Sequence, residues 1–174
     1  RNGQVGADCN DSDSNVRPDL LEDCATAYDD NCDGNTNELN ATSCTSYWQD
    51  VDGDLYGAEN SSSRCYCDPL VNVSLGEYYR ATNSTDCNDT VYAINPGATE
   101  NTGDGVDSDC DDQEICYVDA DNDGYANGNT TTVSTANTNC TDSGEATSSQ
   151  PRTDCDDSDA TINPGATEYC DGHD

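Results

Sequence analysis

The sequence contains no lysine, phenylalanine or methionine, and it has one histidine and one tryptophan. With five arginines against 37 acidic residues, its net charge of −32 excludes nucleic acid as a partner. Hydrophobic residues make up 32% of the chain, and no apolar run approaches the length of a membrane span. No stretch keeps a helical apolar period over three turns, so long helices are not expected. An ordinary apolar core is therefore excluded.

Closely spaced cysteine pairs of the CxxC type are also absent, although the chain has twelve cysteines. Zinc sites need tighter ligand clusters, so disulfides are the better interpretation, and they place the protein outside the cytosol, in the extracellular space or at the cell surface. Glycosylation sequons agree with secretion and occur at Asn10, Asn40, Asn60, Asn72, Asn83, Asn88, Asn129 and Asn139. Because the sequence has no methionine and no signal peptide, we expect it to be a processed piece of a longer product.

The acidic residues are patterned. Asp119, Asp121 and Asp123 alternate along the chain and are followed by Gly124 and Tyr125. This spacing is typical of the first half of an EF-hand-type calcium loop, in which position seven contributes a backbone carbonyl. Further versions occur at Asp50, Asp52, Asp54 and Tyr56, at Asp29, Asn31 and Asp33, and at Asp107, Asp109 and Asp111. The pattern predicts several Ca²⁺ ions per chain.

A longer segment, residues 154–168, also repeats. Its relatives are residues 86–100 and, in degenerate form, 8–22; in each copy proline lies nine residues after cysteine and glutamate thirteen after it. The repeat divides the chain into a partial unit (1–46), a complete unit (47–115) and a unit truncated in its closing loop (116–174).

Each long segment offers its own candidate ligands, because an aspartate and a glutamate in it span a frame of twelve positions, as at positions 1 and 12 of an EF-hand loop. The candidates are Asp8, Asp11, Asp13, Asn15 and Glu22; Asp86, Asn88, Asp89 and Glu100; and Asp154, Asp156, Asp157, Asp159, Glu168 and Asp174. The short loops lack glutamate at position 12. We expect their missing ligands to come from a neighbouring acidic segment, giving shared or paired sites.

The long segment, followed by Cys-Asp-Gly, resembles the MopE-type metal-binding repeat of secreted bacterial proteins. The Asp-x-Asp-x-Asp-Gly-Tyr loop is similar to thrombospondin type-3 calcium loops. The resemblance implies an extracellular, often surface-attached, calcium-binding array. The namesake of the family is linked to copper through histidines and a modified tryptophan; here only His173 and Trp48 are present, so copper is not expected.

The expected fold is a small, irregular, mainly-β and loop-rich tandem repeat, stabilised by calcium and disulfides, with little helix. Strands are predicted at 71–73, 76–80, 117–118 and 130–134, and a helical turn at 18–22. The repeat frame predicts the pairs Cys24–Cys32, Cys44–Cys65, Cys67–Cys87, Cys110–Cys116 and Cys140–Cys155. Cys9 and Cys170 remain, and they could join copies head to tail; the alternative is a window of a longer array.

The favoured function is structural: a calcium-binding repeat subunit of a secreted, glycosylated extracellular fibre, adhesin stalk or surface layer. Its partners would be copies of itself and glycans, with no nucleic acid and no membrane span. The alternative is an extracellular metal-binding or metal-scavenging protein. An enzyme is not expected, because a catalytic carboxylate pair is normally unique and these carboxylates recur, and because one terminal histidine leaves no Ser-His-Asp set.

Overall fold

The computed structural model describes residues 8–134 and 137–167, and no helical segment occurs in these ranges. Their secondary structure consists of short strands: β1 (Thr45–Gln49), β2 (Arg64–Tyr66), β3 (Leu70–Asn72), β4 (Glu77–Ala81), β5 (Glu114–Asp119), β6 (Thr131–Ser134) and β7 (Gly144–Ala146). The prediction of a small, mainly-β, disulfide-rich fold is confirmed. The predicted helical turn is a single hydrogen-bonded turn, in which the Leu20 N–H donates to the Arg17 carbonyl over 3.1 Å.

The chain divides into two compact units between Tyr92 and Ala93. The three repeat units inferred above describe copies within the sequence, and their boundaries stay a prediction. In the described ranges, nothing helical is long and apolar enough to cross a bilayer.

The first unit contains a four-stranded antiparallel sheet with the order β2-β1-β4-β3. Its buried core consists of Tyr47, Tyr66 and Tyr79, and the partly buried Leu70 packs against them. The rings of Tyr66 and Tyr79 lie 6.0 Å apart with an interplanar angle of 52°, in the tilted range that aromatic pairs favour. The core of this sheet is thus built on tyrosine, in a sequence without phenylalanine.

The second unit contains a three-stranded antiparallel sheet with the order β6-β5-β7. Its buried hydrophobic residues are small: Cys116, Ala126, Cys140 and Ala146. A core of this size buries too little apolar surface to stabilise a unit alone. The disulfide Cys116–Cys140 adds a covalent link to this small core.

The central strand of each sheet leads directly into an acidic loop. Strand β1 ends at Gln49, one residue before Asp50, and β5 ends at Asp119. Both aspartates are buried, with relative exposures of 0% and 3%. The sheets therefore fix the first residue of two predicted calcium loops.

Disulfides join Cys9 to Cys32, Cys24 to Cys67, Cys44 to Cys65 and Cys116 to Cys140. Cys87 and Cys110 are also disulfide-bonded. The pair Cys44–Cys65 is the one that the repeat frame predicted. It links the paired strands β1 and β2, because Cys44 directly precedes β1 and Cys65 lies in β2.

The predicted pair Cys24–Cys32 is wrong. Cys32 has a positive φ of 62°, and its Sγ faces the preceding Asp-Cys segment, where the Cys9 N–H donates to it over 3.1 Å. Cys24 bonds Cys67 instead, because the Cys24 N–H donates to the Thr42 carbonyl over 3.0 Å and so lies near the start of β1.

Three further predicted pairs are wrong: Cys67–Cys87, Cys110–Cys116 and Cys140–Cys155. Cys116 is a fully buried residue of β5, and the nearby buried Cys140 bonds it across the small core. The repeat frame assumed that the cysteine of each long segment bonds an upstream cysteine of its own unit. Instead, Cys116 of β5 bonds Cys140. The intermolecular bond Cys9–Cys170 is also excluded for this structure, because Cys9 is bonded to Cys32; Cys170 lies outside the described residues.

Candidate metal centres

Four acidic segments of seven residues share one backbone conformation: loop 1 (29–35), loop 2 (50–56), loop 3 (107–113) and loop 4 (119–125). In every loop, positions four and six have positive φ. The pairs are Cys32 (62°) and Gly34 (93°), Gly53 (93°) and Leu55 (78°), Cys110 (58°) and Asp112 (63°), and Asn122 (62°) and Gly124 (92°). These left-handed residues curl the chain so that the side chains at positions one, three and five gather on the inner side.

The first aspartate of each loop stabilises this curl by accepting backbone N–H groups. Position six donates to its second oxygen in all four loops, over 2.8 Å from Gly34, 3.1 Å from Leu55, 2.9 Å from Asp112 and 3.1 Å from Gly124. Position seven donates to the aspartate at position five over 2.8–2.9 Å in every loop. Because these hydrogen bonds are local, the aspartate spacing alone specifies the loop.

Loop 2 receives two further carboxylates from the Asp-Cys segment, and we call the assembly site 2. The Val51 N–H donates to Asp89 over 2.7 Å. The Asp86 N–H donates to the Gly57 carbonyl over 2.9 Å, which fixes Asp86 beside the loop. One carboxylate oxygen from each of Asp52, Asp86 and Asp89 lies within 4.8 Å of the others.

Site 4 repeats this assembly on loop 4. The Ala120 N–H donates to Asp157 over 2.8 Å, and the Asp154 N–H donates to the Ala126 carbonyl over 3.2 Å. Carboxylate oxygens within 4.8 Å of one another come from Asp119, Asp121 and Asp123. Sites 2 and 4 are therefore twins built from corresponding positions of the repeat.

Loop 3 with Glu100 and Glu114 forms site 3. The N–H groups of Ser108 and Asp109 donate to Glu100 over 2.5 and 2.9 Å. Glu114, on β5, is fully buried, accepts the Gly103 N–H over 3.0 Å and lies beside Glu100. Oxygens of Glu100, Asp107 and Asp109 lie within 4.8 Å of one another.

Site 1 consists of loop 1 with Glu22 and Glu38. The Asn31 N–H donates to Glu22 and its side-chain amide donates to Glu38, both over 2.9 Å. Site 1 has the neutral Asn31 at position three, where site 3 has an aspartate, and its Asp33 is exposed. It therefore has one carboxylate fewer than site 3 at the alternating positions of the loop.

Buried carboxylate oxygens without a hydrogen-bond partner converge at three of the sites. They are Oδ2 of Asp52, Asp54 and Asp86 at site 2; Oε2 of Glu100, Oδ1 of Asp109 and Oε2 of Glu114 at site 3; and Oδ2 of Asp121, Asp123 and Asp154 at site 4. A buried anionic oxygen without a partner carries a large desolvation penalty. Three such oxygens per site are the number and kind of donors that a hard cation would satisfy.

Electrostatics at the sites oppose ionisation in the absence of a cation. Burial, with a smaller contribution from the nearby Glu100 and Asp104, raises the pKa of Glu114 to about 7. Burial likewise raises the pKa of Asp89 to about 6. Burial is also the main cause of raised pKa values at Glu22, Asp52, Asp86, Asp109 and Asp121. A bound divalent ion would reverse these shifts.

The donor chemistry fits a hard cation such as Ca²⁺, Mg²⁺ or Mn²⁺, since the convergent atoms are all oxygens. Imidazole and thiolate favour copper and zinc, but the described ranges contain no histidine, and ten of their eleven cysteines are in disulfides.

The twelve-residue frame proposed from Asp89 to Glu100 is wrong. Asp89 lies with loop 2 while Glu100 lies with loop 3, so the two ends of the frame belong to different sites. The physical reason is that each end accepts N–H groups from a different loop, one before the segment and one after it. Asp157 likewise contacts loop 4. Its frame partner Glu168 lies outside the described residues, as does Asp174.

Several other predicted ligands are engaged in local turns. Asp8 and Asp13 accept the N–H groups of Asn10 and Asn15, and Asn88, Asp156 and Asp159 accept the hydroxyl groups of Thr90, Ser158 and Thr161. Asp8 and Asp11 occupy the repeat positions of Asp86 and Asp89. The carbonyl roles of Tyr56 and Tyr125 stay predictions; their N–H groups close the loops.

Sequence reasoning missed Glu38 and Glu114. Glu114 begins an alternating strand, and its spacing from the buried Cys116 places both side chains on one face of β5. That alternation was the available signal. Glu38 has no such signal, because it reaches site 1 from an irregular segment.

Three segments of the chain match one family model, which is named Cu-binding MopE and described as a "Putative metal-binding motif": residues 8–38, 86–114 and 154–174. The chain carries three MopE-type motifs. No curated protein and no solved structure matches it. The first two motifs include sites 1 and 3 entirely, whereas loops 2 and 4 lie outside the matched segments. The motif's aspartates therefore also complete sites that the family model does not cover.

Proposed function

We propose that this chain is a structural calcium-binding protein of the cell exterior, in which bound Ca²⁺ holds the acidic loops together and disulfides fasten the strands. The observation that carries this proposal is the set of nine buried, unpartnered carboxylate oxygens at sites 2, 3 and 4. In a molecule whose cores are three tyrosines and a few small residues, ions at these positions supply the missing cohesion. Ca²⁺ is preferred over Mg²⁺ because it accepts six to eight oxygens at flexible geometry, and an affinity of roughly 10⁻⁴–10⁻³ M suffices outside cells.

Extracellular placement is supported by the disulfides, which persist in oxidising environments. Four of the sequon asparagines, Asn40, Asn60, Asn129 and Asn139, are exposed and could carry glycans. Tandem copies of an ion-stiffened motif are suited to a fibre, an adhesin stalk or a surface layer, with copies of the chain or a longer array as partners. A covalent link through Cys9 is not part of this proposal, since Cys9 is bonded to Cys32.

The proposed role is non-catalytic. Each acidic cluster is a copy of another: site 4 repeats site 2, and loop 3 repeats loop 1 in backbone and hydrogen bonds. This repetition favours a structural role, because catalysis normally requires a single active site and does not require several copies of the same acidic cluster.

Calorimetric titration of the chelator-treated, disulfide-intact chain with Ca²⁺, Mg²⁺ and Cu²⁺ tests the proposal, with NMR spectra recorded at each end point. We expect at least three Ca²⁺ per chain, one for each site with unpartnered buried oxygens, and a gain in amide dispersion on binding. Tighter binding of Cu²⁺, or spectra equally dispersed in chelator, would contradict it. Ca²⁺ uptake without any ordering would favour a scavenging role.

A further inference from the structure

Sites 2 and 4 differ in the side chain that contacts the first aspartate of the loop. At site 2 the guanidinium of Arg80 donates to both oxygens of Asp50, from Nε over 3.0 Å and from Nη2 over 3.3 Å. At site 4 the corresponding aspartate, Asp119, accepts a hydrogen bond from the neutral side-chain amide of Gln150 over 3.4 Å. The two sites are otherwise matched in loop and in added aspartates.

The residue at position four of each loop is adapted to this difference. A Cβ atom on Gly53 would lie 2.7 Å from Nη2 of Arg80, so glycine leaves the room that the guanidinium occupies. Loop 4 has Asn122 there, with its side chain accepting the Gly144 N–H over 2.8 Å. The arginine is thus built into loop 2, and not a passing surface contact.

The charges of the two sites consequently differ by one. Site 2 holds Asp50, Asp52, Asp54, Asp86 and Asp89 against one guanidinium. Site 4 holds Asp119, Asp121, Asp123, Asp154 and Asp157, and within residues 8–134 and 137–167 no arginine forms an ion pair with them. The side chain of Asp50 is 0% exposed and that of Arg80 is 25% exposed. The pair is therefore shielded from much of the solvent screening that weakens surface ion pairs.

We propose, on the basis of the calcium-binding role above, that Arg80 is a built-in counter-ion that makes site 2 the weaker and less calcium-dependent of the twin sites. Two effects act in the same direction. The guanidinium neutralises part of the repulsion among the carboxylates when no metal is bound, and it repels a divalent ion that enters. Site 4 has neither effect, so Ca²⁺ fills site 4 before site 2.

The test is an NMR titration of the full, disulfide-intact chain with Ca²⁺, in which the amides of Gly53 and Gly124 report the two loops separately. In the wild-type chain we expect the midpoint for loop 2 to lie on the order of tenfold above that for loop 4. Arg80→Gln should lower the loop 2 midpoint by a similar factor and leave loop 4 unchanged. Gln150→Arg should raise the loop 4 midpoint. Arg80→Lys, which keeps the charge, should stay near wild type.

Equal midpoints in the wild-type chain, or an Arg80→Gln midpoint at loop 2 that does not move, would overturn the inference. Absence of Ca²⁺ binding at both loops in every variant would instead overturn the proposed function. If Arg80→Gln does not fold in chelator, the same comparison is made from the Ca²⁺-loaded state by chelator competition. Removal of Ca²⁺ from loop 2 should then require a higher chelator concentration in Arg80→Gln than in the wild-type chain.

Discussion

A carboxylate that is almost fully buried with one oxygen unpartnered is a costly residue in any protein. Asp86 and Asp154 are such residues, with relative exposures of 1% and 9%. In each, Oδ1 accepts a local N–H group, from Asn88 over 2.7 Å and from Asp156 over 3.0 Å, while Oδ2 has no partner. The open oxygen is the atom that a bound ion would use.

Replacing Asp86 with asparagine should therefore separate the metal-bound chain from the metal-free chain. The amide keeps the carbonyl that accepts the Asn88 N–H but cannot ligate through its nitrogen. We expect a loss of about 1–3 kcal/mol in the free energy of unfolding in Ca²⁺ and no loss in chelator, as measured by urea denaturation. Asp154→Asn is the matched change in site 4. Glu59→Gln, at an exposed acid, is the control and should be neutral in both conditions; equal losses with and without Ca²⁺ would contradict the prediction.

The raised pKa of Glu114 predicts how the stability of the metal-free chain depends on pH. Its pKa in the folded chain is raised to about 7 from an ordinary value of 4.5, mainly by burial. Between these values the folded state binds a proton that the unfolded state has released. Without metal, stability should therefore be highest near the lower value, fall as pH rises toward about 7 and level off above it, with each pKa unit worth about 1.4 kcal/mol.

Thermal melts in chelator across this pH range measure the effect, and Glu114→Gln should flatten it. Ca²⁺ should reverse the trend, because it takes the place of the proton and binds more tightly as pH rises. A Glu114→Gln chain that keeps the full pH dependence would assign the effect to other groups. Asp89 is the first of these to examine, since burial raises its pKa to about 6.

At the scale of the element, the loops are the part of this molecule that its sequence specifies best. Alternating aspartates accept N–H groups two to five positions away, so all the needed information is local. Strands β3, β4, β5 and β6 were likewise predictable from β-branched and aromatic residues. Strands β1, β2 and β7 were not predicted. Strand β7, Gly144–Ala146, has little β propensity and is a strand through its partner, whereas β1 contains Thr45, Tyr47 and Trp48, a signal that sequence reasoning missed.

Long-range partners set the limit of sequence reasoning. Which cysteine reaches Cys116, which loop Asp89 joins and which aspartate Arg80 contacts all depend on chain paths over 24 to 38 residues. No local pattern encodes those paths. The expectation that the short loops share ligands with a neighbouring acidic segment came from counting, because the four loops had too few oxygens of their own, and it stays a prediction.

Loop 2 contains a residue that its backbone disfavours. Leu55 has φ of 78° at the position where loops 1 and 4 have glycine, and its side chain is 66% exposed, so little packing is gained in return. Left-handed backbone costs a non-glycine residue about 1–2 kcal/mol. Glycine's extra freedom in the unfolded chain offsets part of this, so Leu55→Gly should stabilise the chain by about 0.5–1 kcal/mol in urea denaturation.

The reciprocal change, Gly124→Leu in loop 4, should destabilise by about 1–2 kcal/mol. A Cβ at Gly124 would meet no atom within 4 Å, so the cost would arise from the backbone alone. A neutral Gly124→Leu would show that the loop tolerates other backbone angles.

At the scale of the whole molecule, a net charge of −32 on 174 residues opposes compaction. Chelation should therefore expand the chain, and small-angle scattering should record a larger radius of gyration that Ca²⁺ restores. Sodium chloride should restore it only in part, because screening weakens repulsion without bridging carboxylates. Full recovery of the compact size in salt alone would mean that repulsion, and not missing ligation, drives the expansion.

With calcium in place, sites 2 and 4 each close a ring of chain, since the contacts that join loop to Asp-Cys segment span 38 and 37 residues. Tension along such a polypeptide would load ionic contacts that can open and reform, whereas the disulfides Cys44–Cys65 and Cys116–Cys140, each with one cysteine before the ring and one within it, would stay intact. A stalk assembled from these modules would lengthen in discrete, recoverable steps, and the covalent links would cap each step. The free calcium around it would then set the force at which it yields.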